Sequence, residues 1–428
     1  MTKGEPSCLV LKDVISTLPA NVLSQIMECL PLRDAARASV LSKSWRYTWL
    51  SLPKLTFDAI FFRDALKDKQ FDGSEFYVLV SKVLLYHVGP VSKFHLYIPK
   101  LQSTGCFIAP CLSYLSKNSV KEITLRNDYL GRITLSSYLF SCLDLEKLQL
   151  NRFKLDVPFS FKGFRNLLNL ELDDALFIGN SFRRLVDCCP QLETLTLLKW
   201  SDWKGIHIHA PKMKHLTLSG KFEAIWLKSP QNLVSLSITL DEMGQNDRIS
   251  RFQELIQLLS ELSELEKLAV GGYTCKALTS GGIVSLLPFK YKCLKVLQLS
   301  NIDANDFSEF RFVTGIIRSC PVIQVLKISF SSLVSVGVIS VEHEIDTAMS
   351  CSLDHLREVE TAGVKGLSME LKLIGFLLNH SSALYQFKIK PSVTIEANLE
   401  SQMTRQLMRF PRASPKAEII YVDPKSSM

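Results

Sequence analysis

Three histidines lie close together in the middle of the chain and form the best candidate for a metal site in the sequence. His207 and His209 alternate with Ile206 and Ile208, so isoleucines facing inward from a strand would turn both imidazoles outward together. His215 follows nearby. Imidazole binds divalent metals, but no carboxylate or thiolate completes the set. We interpret these histidines as part of a solvated strand face and expect no structural or catalytic metal.

The other residues with chemical potential do not form a catalytic pattern. The sequence has no G-x-S-x-G elbow, no H-E-x-x-H motif and no glycine-rich phosphate loop. Cys106 and Cys111 lack a second pair at zinc-binding spacing. Cys188 and Cys189 precede Pro190 at a predicted helix end, where buried structural thiols are common. We therefore expect a protein that is not an enzyme, with no catalytic residue and no cofactor.

The composition is typical of a globular protein with a large core. The 428 residues are 47% hydrophobic and 21% charged. The net charge of +8 comes from dispersed basic residues, which does not favour nucleic acid as a partner. The 11 cysteines are scattered, the first residues lack the apolar core of a signal peptide, and no apolar run is long enough to span a membrane. We expect reduced thiols, no membrane partner, and a cytoplasmic and/or nuclear location.

One pattern, L-x-x-L-x-L, recurs along most of the chain at intervals of 20 to 33 residues. That interval is centred near the period of leucine-rich repeats. The copies are Val91-Phe94-Leu96, Val120-Ile123-Leu125, Leu145-Leu148-Leu150, Leu167-Leu170-Leu172, Leu192-Leu195-Leu197, Met213-Leu216-Leu218, Leu233-Leu236-Ile238, Leu265-Leu268-Val270, Leu294-Leu297-Leu299, Ile323-Leu326-Ile328, Leu356-Val359-Thr361 and Leu384-Phe387-Ile389.

This spacing predicts a leucine-rich-repeat solenoid of the α/β class. The last two apolar positions of each copy share one face of a strand, and no single repeat can bury that face alone. Neighbouring repeats must therefore stack their strands into a parallel sheet on the concave side, with helices on the convex side. The predicted helices include Glu75–His87, Ser181–Cys188, Arg248–Leu262 and Gly315–Cys320, and residues 331–350 break the phase as an extended connector.

The stretch from Leu18 to Pro53 has a different pattern and predicts three short helices. Prolines 19 and 31 mark the helix starts and breaks, and Trp45, Trp49 and Leu52 fall on one side of the third helix. About 35 residues cannot bury that much apolar surface alone. Either the stretch caps the core of the following domain, or a partner protein completes its surface.

The residues of this stretch resemble the F-box of the plant F-box/FBD/leucine-rich-repeat proteins. The matching positions are Asp13-x-Ile15-Ser16-x-Leu18-Pro19, Leu30-Pro31, Ala35, Ser39-Val40-Leu41-Ser42-Lys43 and Trp45-Arg46, with departures at Ala20 and Ser44. The resemblance implies a three-helix module that binds a Skp-type adaptor and, through it, the cullin of a ubiquitin ligase. It implies that the adaptor-binding residues are Leu18, Pro19, Leu23, Ile26, Leu30, Pro31, Val40, Ser42, Trp45 and Arg46.

The C-terminal part resembles the FBD domain that such proteins carry after their repeats. The matching residues are Leu353–Val359, Gly366, Glu370–Leu378, Leu384 and the Phe410–Ser414 turn. This part reads as strand, helix and strand, with helices at Ser368–His380 and about Ile395–Phe410 and a last strand at Glu418–Val422. The predicted domains are a tether (1–12), the F-box (13–53), a connector with a capping helix (54–90), the repeats (91–350) and the FBD-like domain (351–428).

The concave face suits a protein partner. Its predicted outward residues are small, polar and of mixed charge, whereas a phosphate backbone would require stripes of arginine and lysine. Large aromatic residues follow the middle strands, and two interpretations are open for them: they seal the core, or they form an exposed ridge that binds the target protein. The candidate substrate-binding residues are Trp200, Trp203, Trp226 and Tyr273.

These patterns lead to one main functional hypothesis and one alternative. The main hypothesis is a non-catalytic substrate receptor of a Skp–cullin–F-box ubiquitin ligase, in which the F-box docks the adaptor and the repeats hold an unknown target protein. The alternative is a stand-alone leucine-rich-repeat receptor for a ligand or peptide, with a degenerate F-box. Adaptor binding separates the two.

Overall fold

The computed structural model describes residues 18–41, 45–65, 73–100, 108–201, 205–222, 224–241, 249–262, 264–279, 290–331, 352–395 and 397–422. The first elements in chain order are α1 (Ala20–Glu28), α2 (Leu32–Ala38), β1 (Lys54–Phe57), α3 (Ala59–Ala65), α4 (Gly73–Tyr86), β2 (Lys93–Ile98), α5 (Ile108–Leu115), β3 (Glu122–Asn127), β4 (Ile133–Thr134), β5 (Lys147–Asn151), β6 (Phe153–Leu155), β7 (Asn169–Asp173), β8 (Leu176–Phe177) and α6 (Ser181–Asp187). Short 3-10 helices lie at Thr48–Ser51, Ser137–Ser141 and Pro230–Asn232.

The chain continues with β9 (Thr194–Trp200), β10 (Ile206–His209), β11 (His215–Gly220), β12 (Ile225–Lys228), β13 (Ser235–Leu240), α7 (Ile249–Glu261), β14 (Lys267–Gly272), α8 (Thr274–Thr279), β15 (Val296–Ile302), α9 (Phe307–Arg318), β16 (Val325–Phe330), β17 (Glu358–Val364), α10 (Ser368–His380), β18 (Gln386–Pro391), α11 (Ala397–Leu407) and β19 (Glu418–Tyr421). Among the residues described, no helix has the length and apolarity that crossing a membrane requires.

The chain forms two compact units. The first contains Met1–Leu167 and Ala175–Cys189, and the second contains Leu168–Asp174 and Pro190–Met428. In the first unit, β1, β2, β3 and β5 pair in parallel in that order, while β4, β6 and β8 form a second, smaller parallel sheet. The helices that resemble the F-box belong to this unit. Helix α2 contacts β1 and the 3-10 helix at Thr48–Ser51.

The second unit is built on a parallel sheet in which every described strand pairs with the strand of the next repeat. The order is β7, β9, β11, β13, β14, β15, β16, β17, β18 and β19, and a separate pair of short strands is formed by β10 and β12. The strands are parallel because each connection returns the chain to the end of the sheet at which the previous strand began. This arrangement confirms the predicted solenoid fold class.

The leucine positions form a ladder in register through the second unit. Leu195 lies opposite Leu216, which lies opposite Leu236, and the same row continues through the later strands. The apolar positions of this row and of the next one are buried in every described copy. The first apolar residue of each copy, such as Leu192 or Leu265, is buried as well. The core is therefore a continuous stack of aliphatic side chains, as the repeat spacing predicts.

A repeated backbone arrangement precedes each strand of the ladder. The N–H groups of Lys214 and His215 both donate to the carbonyl of Glu193, and those of Val234 and Ser235 both donate to that of Lys214. The same two-to-one pattern recurs in the repeats that follow. Each repeat thus meets its neighbour through the same hydrogen bonds, which hold the strands in one common register.

Residues with a left-handed backbone conformation lie near the ends of several of these strands. Asp174, Lys199, Gly272, Asn301 and Gly363 all have positive φ, between 51° and 72°. Because non-glycine residues adopt this conformation at a cost, the packing around the strand ends must hold it in place. At Lys199, Asn301 and Gly363 the pairing register shifts, so these residues form irregularities of the β-bulge kind near the strand ends.

Several boundaries differ from the sequence prediction. In the predicted connector (54–90), strand β1 ends at Phe57 and helix α3 begins at Ala59. The helix predicted at Gly315–Cys320 begins eight residues earlier, at Phe307, because Asp306 caps it. The phase-breaking connector lies outside the described residues except for Ser331. The predicted domain boundaries remain predictions.

Candidate functional site

The inner face of the F-box-like stretch is apolar and buried. Leu23 and Met27 of α1 and Leu32, Ala35 and Ala38 of α2 are all shielded from solvent. The spacing of the α2 residues places them on one side of its helix. Pro19 and Pro31 directly precede the two helices as N-cap residues, where a missing N–H costs nothing.

The same stretch also exposes large apolar side chains. Val40 is 87% exposed and Leu41 is 81% exposed, and both follow α2. Ile26, Leu30 and Tyr47 are exposed as well. A cluster of this kind in so short a segment is typical of a surface that a partner protein covers.

The predicted adaptor-binding residues divide between the two faces. Ile26, Leu30 and Val40 are exposed, as contact residues must be, whereas Leu23 is buried and can only support the surface. The remaining described ones are exposed or half-buried, namely Leu18, Pro19, Pro31, Trp45 and Arg46. Ser42 lies outside the described residues. The indole Nε1 of Trp45 is buried, and no described residue accepts a hydrogen bond from it.

The predicted list missed Leu41 and Tyr47. Both are more exposed than Ile26 or Leu30. Leu41 belongs to the matched Ser39–Lys43 motif, and that position was a usable signal. No sequence pattern shows that Tyr47 turns outward, because it lies in a turn just before a 3-10 helix.

The aromatic residues after the middle strands have different environments. Trp200 is only 4% exposed and belongs to the core, so the prediction that it forms part of an exposed ridge is wrong. Its position explains this: Trp200 ends β9 and pairs in register with Gly220, which brings it under the neighbouring repeat. Tyr273 is half-buried, Trp203 lies outside the described residues, and Trp226 is 38% exposed.

Trp226 stacks on His207 across the β10–β12 pair. The ring centroids are 4.2 Å apart and the planes differ by 11°. Ile206 and Ile208 face inward, and His207 faces outward, as the alternation predicts. His215 belongs to β11 in the main sheet, so the three histidines do not lie on one sheet. In the described part of the chain, no group of three or more metal-binding side chains is close enough to hold an ion.

The concave face of the second unit carries mostly short hydroxyl side chains in its middle. Thr196, Thr217 and Ser237 lie side by side in register and are half-buried. Charges appear further along, where Lys390 Nζ lies 2.6 Å from Glu360 Oε1. This hydrogen bond holds the pKa of Glu360 below its usual range. The described part of this face offers hydrogen bonds and a few charges.

The buried thiols are unsuited to nucleophilic chemistry. Burial raises the pKa of Cys111 and of Cys189 to about 12, so both are protonated at neutral pH. The described cysteines are free, and Cys189 donates a hydrogen bond to the carbonyl of Leu185. These residues fill the core between helix and sheet.

Comparison with known proteins gives matches along nearly the whole chain. Residues 15–57 match the F-box domain family, and residues 108–251 match the leucine-rich repeats of FBD-associated F-box protein At5g56370. The F-box/FBD/LRR-repeat protein At1g13570 of Arabidopsis thaliana is 31% identical over 420 residues, covering 96% of this chain and 98% of that protein. The putative F-box/FBD/LRR-repeat protein At4g03220 of the same plant is 26% identical, covering 97% of each chain.

The fold and the matches together define an F-box protein with leucine-rich repeats. F-box domains generally bind Skp-type adaptors, and proteins that combine them with such repeats are generally non-catalytic substrate receptors of ubiquitin ligases. More particularly, the chain belongs to the F-box/FBD/LRR-repeat family.

Proposed function

We propose that this protein is a substrate-recognition subunit of a Skp–cullin–F-box ubiquitin ligase. The exposed apolar cluster formed by Ile26, Leu30, Val40, Leu41 and Tyr47 supports the proposal most directly. This cluster, called the F-box face below, lies within the residues that match the F-box domain. The adaptor would cover it, and the adaptor would in turn bind the cullin.

The mechanism of such a subunit is proximity. A target protein held by the repeats has its lysines at a high effective concentration near the transfer enzyme that the cullin recruits. The chain itself contributes binding and orientation, and the bond-forming step belongs to other subunits. The cytoplasmic and/or nuclear location remains a prediction.

The F-box face can be tested with a double variant, Val40→Asp with Leu41→Asp. Both side chains are exposed in the free chain, so the fold tolerates the change, but burying two carboxylates under an adaptor is costly. We expect the affinity for a purified Skp-type adaptor to fall by about 100-fold or more, which corresponds to about 3 kcal/mol. Isothermal titration calorimetry measures this change.

Leu130→Asp is the matched control. Leu130 is 90% exposed in the same unit but lies outside the F-box match, so its change should leave adaptor binding intact. The unfolding midpoints of both variants must stay near that of the wild type. If the wild-type protein fails to bind the adaptor, the alternative of a stand-alone receptor takes its place.

The target protein is expected to bind the repeats. Trp226 and Tyr273 remain the candidate contacts, because Trp226 offers exposed aromatic area supported by His207. The half-buried hydroxyl groups of the concave face provide further hydrogen bonds.

A further inference from the structure

A cavity of about 610 Å³ opens between two helices near the C-terminus of the second unit. The first half of α10 provides one wall through Ser368, Leu371, Lys372 and Gly375. The residues just after α11 provide the other wall, and Arg409 and Phe410 are its main side chains. The volume is within the range of small-ligand and peptide side-chain pockets.

One part of this cavity is apolar. Leu371 and Phe410 are both half-buried. Gly375 leaves room for the phenyl ring: a Cβ atom added there would lie 3.4 Å from Cδ1 and Cε1 of Phe410. The ring therefore rests against the backbone of α10, and its other face borders the open volume.

The polar part of the cavity is cationic. Lys372 and Arg409 line it, and among the described residues neither side chain has a hydrogen-bond or ion-pair partner. None of the lining residues is acidic. Glu370 is turned into the core, where its Oε2 accepts N–H groups from Lys365 and Leu367. The described lining therefore contains two basic side chains and no acidic one.

The start of α10 adds a polar residue to the cavity. Ser368, the first residue of the helix, is exposed and belongs to the lining. The Glu370 carboxyl group accepts the N–H groups of Lys365 and Leu367 at this end of the helix, so the positive charge of the cavity comes from the side chains of Lys372 and Arg409.

We propose that this cavity binds a phosphorylated side chain of the target protein, with a neighbouring apolar side chain resting on Leu371 and Phe410. A phosphate carries nearly two negative charges and three acceptor oxygens, which matches two cations better than a single carboxylate does. The inference rests on the proposed function, because it names the chemistry by which the receptor would select its target. Modification of the target would then control its capture.

The test uses the full chain and three arrays of short peptides with random flanking residues. The central residue is phosphoserine in the first array, serine in the second and glutamate in the third. We expect the phosphoserine peptides to bind at least about tenfold more tightly than the other two sets, and the bound sequences to share an apolar residue beside the phosphoserine. Lys372→Glu and Arg409→Glu should each reduce phosphopeptide binding by about tenfold or more.

Arg405→Glu is the matched control, since Arg405 lies on α11 and is exposed but does not line the cavity. It should bind phosphopeptides like the wild type, and unfolding midpoints check that all three variants fold. Equal binding of the three arrays, or equal loss in all three variants, overturns the proposal. Each variant is also titrated with the Skp-type adaptor: intact adaptor binding without phosphopeptide selectivity rejects this inference alone, whereas loss of adaptor binding by the wild type rejects the proposed function.

Discussion

Two buried glutamates perform the same task in different repeats. Glu309 is the third residue of α9 and Glu370 is the third residue of α10. Glu309 Oε2 accepts the N–H of Asp303 at 3.0 Å, and Glu370 Oε2 accepts the N–H of Lys365 at 2.8 Å. Each carboxyl group thereby ties the loop after a strand to the helix that follows, which holds the convex helix against the sheet.

Burial makes Glu309 sensitive to pH. Desolvation raises the pKa of Glu309 in the folded protein to about 7, whereas the ordinary pKa of a glutamate is near 4.5. Between these two pH values the folded protein keeps a proton on Glu309 that the unfolded chain has released. The folded state binds more protons between these two values. The free energy of unfolding should therefore fall as the pH rises from about 4.5 to about 7.

Glu309→Gln tests this coupling, because glutamine keeps the acceptor for Asp303 and removes the ionisation. We expect the variant to be more stable than the wild type by roughly 2 to 3 kcal/mol at about pH 8, and the difference to shrink at about pH 5. Denaturant unfolding at the two pH values measures it. An equal difference at both values would show that the carboxyl group titrates normally.

The two described tryptophans of the middle repeats should respond differently to truncation. Trp200→Ala removes a core side chain and should cost about 3 to 5 kcal/mol of stability. Trp226→Ala removes a half-exposed ring stacked on His207, and should cost less than about 1.5 kcal/mol. Chemical denaturation of both variants checks the contrast. A similar loss in both would make Trp226 a core residue and leave the target site elsewhere.

At the scale of elements, the close approach of β9 and β11 depends on a glycine. Gly220 has φ of 142°, and a Cβ atom there would lie 2.2 Å from the carbonyl oxygen of Trp200. Gly220→Ala should therefore destabilise the protein by more than about 2 kcal/mol. Thermal or denaturant unfolding measures the loss.

Gly315 provides the control for that change. It lies inside α9, and a Cβ atom there would have no neighbour within 4 Å. Gly315→Ala should leave stability unchanged or raise it by about 0.5 to 1 kcal/mol, since alanine is the better helix former. If both variants lose equal stability, the contact with Trp200 is not what excludes a side chain at Gly220.

Element boundaries followed from sequence where a period was strong. The strands appear where the leucine pattern places them, and α10 spans Ser368–His380 as predicted. The sequence prediction starts α9 too late, although Asp306 and Glu309 have the spacing of a capping box. Asp306 Oδ1 accepts the N–H of Glu309 at 3.3 Å and that of Ser308 at 2.9 Å.

At the scale of the whole molecule, repetition made the fold class predictable. About a dozen copies of one pattern leave few ways to bury their apolar faces, so the parallel sheet follows directly. Which side chains are exposed to solvent was harder to predict from the sequence. The burial of Trp200 depends on its register with Gly220, and the cavity beside Lys372 depends on how α10 and α11 pack, which no local pattern encodes.

The shared hydrogen bonds before each strand of the second unit have a consequence for how such a chain can diversify. Each repeat joins the next through the same two N–H groups and one carbonyl, whatever the length of the connection between them. A duplicated or deleted repeat would leave the bonds of the others unchanged. New concave surfaces can thus arise by copying whole repeats, while single substitutions at the half-buried positions of each copy adjust what the surface recognises.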